Sequence, residues 1–299
     1  MTALRVGTRG SELALWQTRW VCAELCKIHP SLQIEEVVIK THGDAVTDRP
    51  FGGDWPVGAF VRAIEQALLE KRINFAVHSY KDLQTAPTAG LMIAAVPPRQ
   101  VVHDVLLTRE PVDLTGLPAG FKVGTSSPRR SAQFRRLGGV EVVPIRGNVP
   151  TRVAKLNREN LDGIVLAAAG LHRLGINHVP RIDLPTDRFV PAPAQGALAV
   201  QTHEGDKAVE IISPLDDAPS RTAVTAERSF LQGINAGCHT PAAALATVTT
   251  NGPTNGTTIS LHAQLFTDDG KHMAEETKTG KAPQPLGLST AKQLLRKLK

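Results

Sequence analysis

Aromatic side chains are scarce in this chain, at 4% of 299 residues with a single tyrosine. That is poor material for stacking on single-stranded bases, and the only long Lys/Arg run is the C-terminal stretch Lys292-Gln293-Leu294-Leu295-Arg296-Lys297-Leu298-Lys299. A nucleic-acid partner is therefore not expected. Long apolar runs are also missing: none approaches the roughly 20 residues that cross a bilayer. The N-terminal Met1-Thr2-Ala3-Leu4-Arg5-Val6 enters a strand pattern directly rather than the apolar core of a signal peptide. No membrane association and a cytoplasmic location are the expectations. Three cysteines cannot all pair, and a chain of this length needs no disulfide staples, which points to free thiols in a reducing compartment. Cys22 and Cys26, four apart with no His or Cys nearby, read as packing residues, and no metal site is expected. The phosphate cradles G-x-x-x-x-G-K-[ST] and G-x-G-x-x-G are absent, so nucleotide-binding readings lose ground.

What is present is ample apolar content for ordinary cores, 41% of residues, and a formal charge of +6 from 34 Lys and Arg against 28 Asp and Glu. The arginines gather at turns between strands and helices. Leu4-Arg5-Val6-Gly7-Thr8 reads as a strand, and Leu13, Trp16 and Trp20 recur at helical spacing after it. Arg9-Gly10-Ser11 joins the two, with Ser11 as N-cap, so backbone N–H groups, a hydroxyl and a guanidinium meet at one junction. A second strand covers Leu32 to Ile39, the segment Thr41 to Gly58 reads as a loop, and Val61, Ile64 and Leu68 mark the buried stripe of another helix.

Next comes Asn74-Phe75-Ala76-Val77-His78-Ser79-Tyr80-Lys81-Asp82, a buried-strand pattern that stops at a hydroxyl and then presents an ammonium beside a carboxylate. Open α/β sheets bind ligands beyond the carboxyl ends of their strands, which makes this stretch the candidate reactive edge. The strand–helix alternation predicts a doubly wound lobe, and Pro97-Pro98-Arg99 marks where the chain leaves it.

The rhythm restarts with Phe121-Lys122-Val123-Gly124-Thr125 and Ser126-Ser127-Pro128-Arg129-Arg130, where Ser127 caps a helix whose first turn carries two arginines. Positive charge there opposes the helix dipole and asks for an anionic partner, either a ligand or acidic side chains from elsewhere in the chain. A third junction, Arg146-Gly147-Asn148-Val149-Pro150-Thr151-Arg152, repeats the design, and Arg173 follows another buried strand. Guanidinium suits bidentate capture of carboxylate, so the set predicts a ligand bearing several acid groups. Pro191 to Val200 reads as a joint and a strand returning to the first lobe; two such crossings make a hinged pair of lobes. The remainder, a helix over Arg221 to Leu231, a turn with Gly237-Cys238, strands Ala242 to Thr249 and Thr257 to Phe266, and a C-terminal amphipathic helix, reads as a small α+β domain. The predicted domains are 1–97 with 197–214, 102–191, and 218–299.

Thr8-Arg9-Gly10-Ser11-Glu12-Leu13-Ala14-Leu15-Trp16-Gln17, His78-Ser79-Tyr80-Lys81-Asp82, Gly124-Thr125-Ser126-Ser127-Pro128-Arg129-Arg130, Arg146-Gly147-Asn148-Val149, Ala194-Gln195-Gly196-Ala197 and Gly237-Cys238 together resemble the porphobilinogen deaminase (hydroxymethylbilane synthase) family, in order, from Arg5 to about Pro241. The resemblance implies two lobes like periplasmic solute-binding proteins, a third domain, and a dipyrromethane cofactor held by a thioether to Cys238. It implies a transferase that adds four porphobilinogen units to that primer, releases hydroxymethylbilane for heme and other tetrapyrroles, and works as a monomer. By the same resemblance Asp82 and Lys81 are catalytic. Ser79, Lys81, Asp82, Thr125, Ser126, Arg129, Arg130, Arg146 and Gly147 hold the cofactor; Arg9, Ser11, Arg146, Arg152, Arg173 and Gln195 hold the substrate. The chain departs from the family pattern at Val57, which replaces a loop lysine, at Tyr80, at Ala194, which replaces a glycine, and at Asn235-Ala236. A bilobal solute-binding protein would share the arginines but have no use for Cys238.

Overall fold

The computed structural model describes residues 3–39, 59–235, 240–250 and 256–298. The loop read over Thr41 to Gly58, the substitution at Val57, and Gly237, Cys238 and His239 lie outside the described residues. The chain separates into two compact units, 1–100 with 197–221, and 101–196 with 222–299.

The first unit holds a five-stranded sheet of β1 (Leu4–Thr8), β2 (Ile34–Val38), β3 (Phe75–Ser79), β4 (Leu91–Ala95) and β10 (Leu198–His203). Their order is β2-β1-β3-β10-β4; β1 pairs in parallel with β2 and β3, while β10 runs antiparallel to β3 and β4. The alternation of β3 explains why helices cover both faces. Phe75 and Val77 pack with Val21 and Leu25 of α1 (Glu12–Ile28), whereas Ala76 packs with Ile64 and Leu68 of α2 (Ala59–Leu69). Burying a side chain such as Phe75 completely stabilises by about 1.5–3 kcal/mol.

On α1, Leu13, Trp16 and Trp20 are only half-buried, and the fully enclosed positions are Gln17, Thr18, Val21 and Leu25. Two polar residues can occupy that face because each has a partner there: Thr18 Oγ1 donates to Thr8 Oγ1 at 2.8 Å, and Gln17 Nε2 donates to Ser79 Oγ at 2.8 Å. The stripe on α2 is as expected, with Val61, Ile64 and Leu68 buried.

The second unit repeats the plan. β5 (Asp104–Thr108), β6 (Phe121–Gly124), β7 (Val140–Val143), β8 (Gly163–Ala167) and β9 (Arg181–Asp183) form a sheet in the order β7-β6-β8-β5-β9. β6 is parallel to β7 and β8, and β5 is antiparallel to β8 and β9. Val105, Leu107, Ile164 and Leu166 face α4 (Val149–Arg158), while Leu106, Val123 and Val165 pack with Phe134 of α3 (Pro128–Arg135). Both sheets are therefore doubly wound but mixed rather than all parallel.

The same unit carries an antiparallel sheet of β11 (Ala242–Thr250), β12 (Thr257–Phe266) and β13 (Met273–Gly280), backed by α7 (Ala218–Gly233) and the C-terminal helix Pro283–Lys297. β13 was not expected. Its sequence, Met-Ala-Glu-Glu-Thr-Lys-Thr-Gly, is too polar to announce a strand, and it sits at the sheet edge, where charged residues guard against further pairing.

Candidate active site

In the first unit, β3 delivers its last residue to the same sheet edge as the carboxyl end of β1, because the two strands are parallel neighbours. Ser79 then starts a 3-10 turn, Tyr80–Asp82, pinned by Tyr80 N–H donating to the Ala197 carbonyl at 3.0 Å and Leu83 N–H donating to the Tyr80 carbonyl at 3.3 Å. Lys81 is half-buried and Asp82 exposed. Among the described residues, the Asp82 carboxylate has no hydrogen bond or ion pair. Ser79 is tied to Gln17 of α1, whose head is capped by Ser11 accepting from Ala14 N–H at 3.4 Å. The junction carrying Arg9 and Ser11 is thus joined to the Lys81–Asp82 turn through one amide. Gln17 was not assigned a role from the sequence, since helical spacing gives no sign that a polar residue is enclosed.

Behind this turn lies a second polar cluster, on the α2 face of the sheet. Gln201 Nε2 donates to Glu65 Oε1 at 3.0 Å, and Thr88 Oγ1 donates to Glu65 Oε2 at 2.9 Å. His78 is buried beside Gln201, and burial pushes its ring down to about 4, further lowered by the charge of Arg9 and partly offset by Gln201. It is a neutral imidazole at physiological pH.

The second unit has two adjacent strand–helix junctions. At the first, Ser127 caps α3 as expected, accepting from Arg130 N–H at 3.5 Å, with Pro128 in the first turn. Thr125 is buried and its hydroxyl accepts from Ser127 N–H at 3.2 Å. Ser126 reaches across to the second junction: Oγ donates to the Ile145 carbonyl at 2.8 Å and accepts from Ile145 N–H at 3.1 Å. That hydroxyl therefore fixes the backbone just before Arg146. Gly147 follows at φ +112, where an added Cβ would lie 2.6 Å from the Thr151 side chain, so only glycine fits. Asn148 caps α4 by accepting from Thr151 N–H at 2.9 Å, and Arg152 Nε donates to the Gly147 carbonyl at 2.8 Å.

Arg129 and Arg130 are buried, and of the two anionic partners left open by the sequence the structure supplies an internal one. Asp104, the first residue of β5, takes Arg129 Nη1 at 2.8 Å and Arg130 Nη2 at 2.6 Å. Gln195 Nε2 adds a third bond to the same carboxylate at 2.9 Å. Burial would raise the Asp104 carboxyl, but the two guanidiniums and their hydrogen bonds outweigh it and hold the group well below the usual carboxylate range. Arg173 is also buried and donates to the Gly196 carbonyl at 2.9 Å. Desolvation lowers Arg173 to about 10 and lowers Arg146 as well. A desolvated guanidinium such as Arg173 gains from an incoming carboxylate, and Arg146 is partly exposed beside the Gly147 turn, so both suit the acetate and propionate arms of a dipyrromethane. The donor set therefore fits such a group.

The fold is that of two doubly wound lobes: one ends a strand in a carboxylate with no partner among the described residues, and the other carries arginines at its strand–helix junctions. The comparisons give the family. Residues 4–211 match the porphobilinogen deaminase dipyrromethane cofactor-binding domain, and residues 221–296 match the porphobilinogen deaminase C-terminal domain. Porphobilinogen deaminases of Syntrophotalea carbinolica and Moorella thermoacetica are 41% and 40% identical over 98% and 99% of this chain, and 93% and 94% of their own lengths. That of Mycolicibacterium gilvum is 42% identical over 97% of this chain and 95% of its own. The chain belongs to the porphobilinogen deaminase family.

Proposed function

We propose that this chain deaminates porphobilinogen and joins four units head to tail on a covalently held dipyrromethane, releasing hydroxymethylbilane for tetrapyrrole biosynthesis. The observation that carries the reading is the exposed, uncommitted Asp82 carboxylate on a turn fixed by backbone bonds at the end of β3. Loss of ammonia from the substrate leaves positive charge on a pyrrole ring, and a carboxylate at the ring N–H stabilises that charge and accepts or returns the proton. An aspartate already engaged in a salt bridge would have to give up that partner first. Lys81, beside it, orients an acid group of the substrate.

The dipyrromethane, when bound through Cys238, supplies the open pyrrole carbon at which growth begins. Arg129, Arg130, Arg146 and the Gly147 backbone hold its acid arms, with Thr125, Ser126 and Ser79 shaping those contacts. Ser126 acts through the Ile145 backbone that precedes Arg146. Arg9, Ser11, Arg146, Arg152, Arg173 and Gln195 take the carboxylates of the incoming substrate. We also propose three domains, 1–97 with 197–214, 102–191 and 218–299, and a monomer working in the cytoplasm. No helix among the described residues is long and apolar enough to cross a membrane.

The test is the intact mass of the purified protein, which should exceed the sequence mass by a dipyrrole adduct that disappears in Cys238→Ser. Asp82→Asn should keep the adduct and lose turnover by roughly 10²- to 10⁴-fold, the usual contribution of a positioned acid–base group. A bare-sequence mass in freshly made, active protein would overturn the cofactor assignment. Undiminished turnover in Asp82→Asn would remove the aspartate from its role.

A further inference from the structure

Asp104 is 1% exposed and opens β5, 25 residues before Arg129. Its two oxygens accept from three side chains: Oδ2 from Arg129, Oδ1 from Arg130 and from Gln195. Each arginine has other anchors as well. Arg129 Nη1 also reaches Gln133 Oε1 at 3.1 Å and the Val190 carbonyl at 3.0 Å, and Arg130 Nη1 donates to the Val165 carbonyl at 3.0 Å. Gln133 in turn donates to Gln264 of β12 at 3.0 Å. Every group in this cluster is buried, so the geometry is fixed by packing as well as by charge.

Two guanidiniums side by side without a counter-charge repel each other and would collect whatever anion solvent offers. One carboxylate between them leaves the pair with a single net positive charge and a defined orientation. We propose that Asp104 is a positioning residue for the reaction: it aims Arg129 and Arg130 and reduces their joint charge so that they engage the acid arms of the cofactor rather than small solvent anions. The proposal rests on the reading that these two arginines hold those arms.

Asp104→Asn keeps the shape of the side chain but removes its charge and turns one of its two accepting ends into a donor. Its melting temperature should then rise by several degrees between low and high KCl, because chloride replaces the missing anion, while the wild-type protein stays nearly flat. The fraction of molecules carrying the dipyrrole adduct by intact mass should fall, and KM for porphobilinogen should rise about tenfold, the effect of one misplaced charged contact. A purely structural Asp104 would lower the melting temperature and leave chloride response, adduct fraction and KM at wild-type values; that result overturns the proposal. Asp104→Glu covers the case in which the asparagine variant does not fold. It retains the charge but displaces it by one methylene, so it should show raised KM without the chloride response, and an unchanged KM counts against positioning. Arg129→Lys and Arg130→Lys separate the underlying reading. If both keep wild-type adduct fraction and KM, the arginines do not hold the cofactor, whatever Asp104 variants do.

Discussion

The two α/β lobes share one sheet order and treat the carboxyl ends of their strands in opposite ways. In the first, β3 runs out into a turn whose Asp82 is exposed and holds no internal partner among the described residues. In the second, β6 runs into a helix whose arginines are buried and share the single carboxylate of Asp104. The difference is the one that the proposed roles of these charges require. A carboxylate that exchanges protons needs freedom and water nearby, so it sits on a short exposed turn held only by its backbone. Guanidiniums that orient acid groups need a fixed direction, so they are enclosed and braced, at a desolvation cost that a buried carboxylate offsets.

The strongest way to break this contrast is to compare stability with activity in one variant from each lobe. Arg129→Met removes one donor each from Asp104 Oδ2, Gln133 Oε1 and the Val190 carbonyl and leaves the buried cluster one positive charge short. Losing one member of a buried charged cluster costs on the order of 4 kcal/mol, which chemical denaturation would register directly. Asp82→Asn, by contrast, should leave the denaturation midpoint within about 0.5 kcal/mol of wild type, as exposed substitutions do. If Asp82→Asn proved as destabilising as Arg129→Met, the carboxylate would be structural and the distinction between the lobes would vanish.

A second test sharpens the comparison by asking whether the first lobe has a charge-sensitive core of its own. His78 is held at about 4 against 6.5 for a free imidazole, chiefly by burial. An unfolded chain takes up a proton near pH 6.5 while the folded one waits until about pH 4, so stability is unaffected above pH 6.5 and falls as the pH drops toward 4. The loss amounts to about 3 kcal/mol across that window. His78→Gln should flatten this part of the stability profile, and an unchanged slope would mean the ring is not enclosed. Asp104 is also depressed but is an acid, so it keeps its contribution throughout that range and loses it only in stronger acid.

These examples also show what the chain made legible before folding. Ser11 and Ser127 could be read as caps because capping is local, set by one side chain and the N–H three residues on. The burial of β3 along almost its whole length was legible in its short, continuous apolar run. Asp104 was not, because nothing in the sequence near Arg129 announces a partner at the start of a strand 25 residues earlier. Gln17 and Thr18 escaped notice since a buried polar residue on a helix looks exposed until its partners, Ser79 and Thr8, are known. β13 escaped because an edge strand need not be apolar. Local geometry was readable; polar satisfaction across distant elements was not.

Ala194 carries the smallest predicted effect and the finest test of how the second lobe is braced. It sits at φ +62, in the left-handed region, at a position where the family resemblance has glycine. Its N–H donates to Glu227 Oε2 at 2.6 Å, and Glu227 Oε1 accepts from Ala246 N–H at 2.8 Å, so α7 and β11 jointly hold the strained residue beside Gln195. Left-handed backbone costs alanine about 1–2 kcal/mol. Ala194→Gly removes that strain but loses a buried methyl worth about 0.8 kcal/mol and gives the unfolded chain about 0.5–1 kcal/mol of extra entropy. The terms nearly cancel, and the expected change in stability is within about 0.5 kcal/mol of zero. Ala194→Val has no such compensation, because a branched side chain at positive φ clashes with its own backbone. It should cost about 2 kcal/mol or more and turn the Gln195 amide away from Asp104, so a raised KM should accompany the lost stability. A glycine variant stabilised by well over 1 kcal/mol would instead show that the bracing by Glu227 is incomplete and that this loop retains strain.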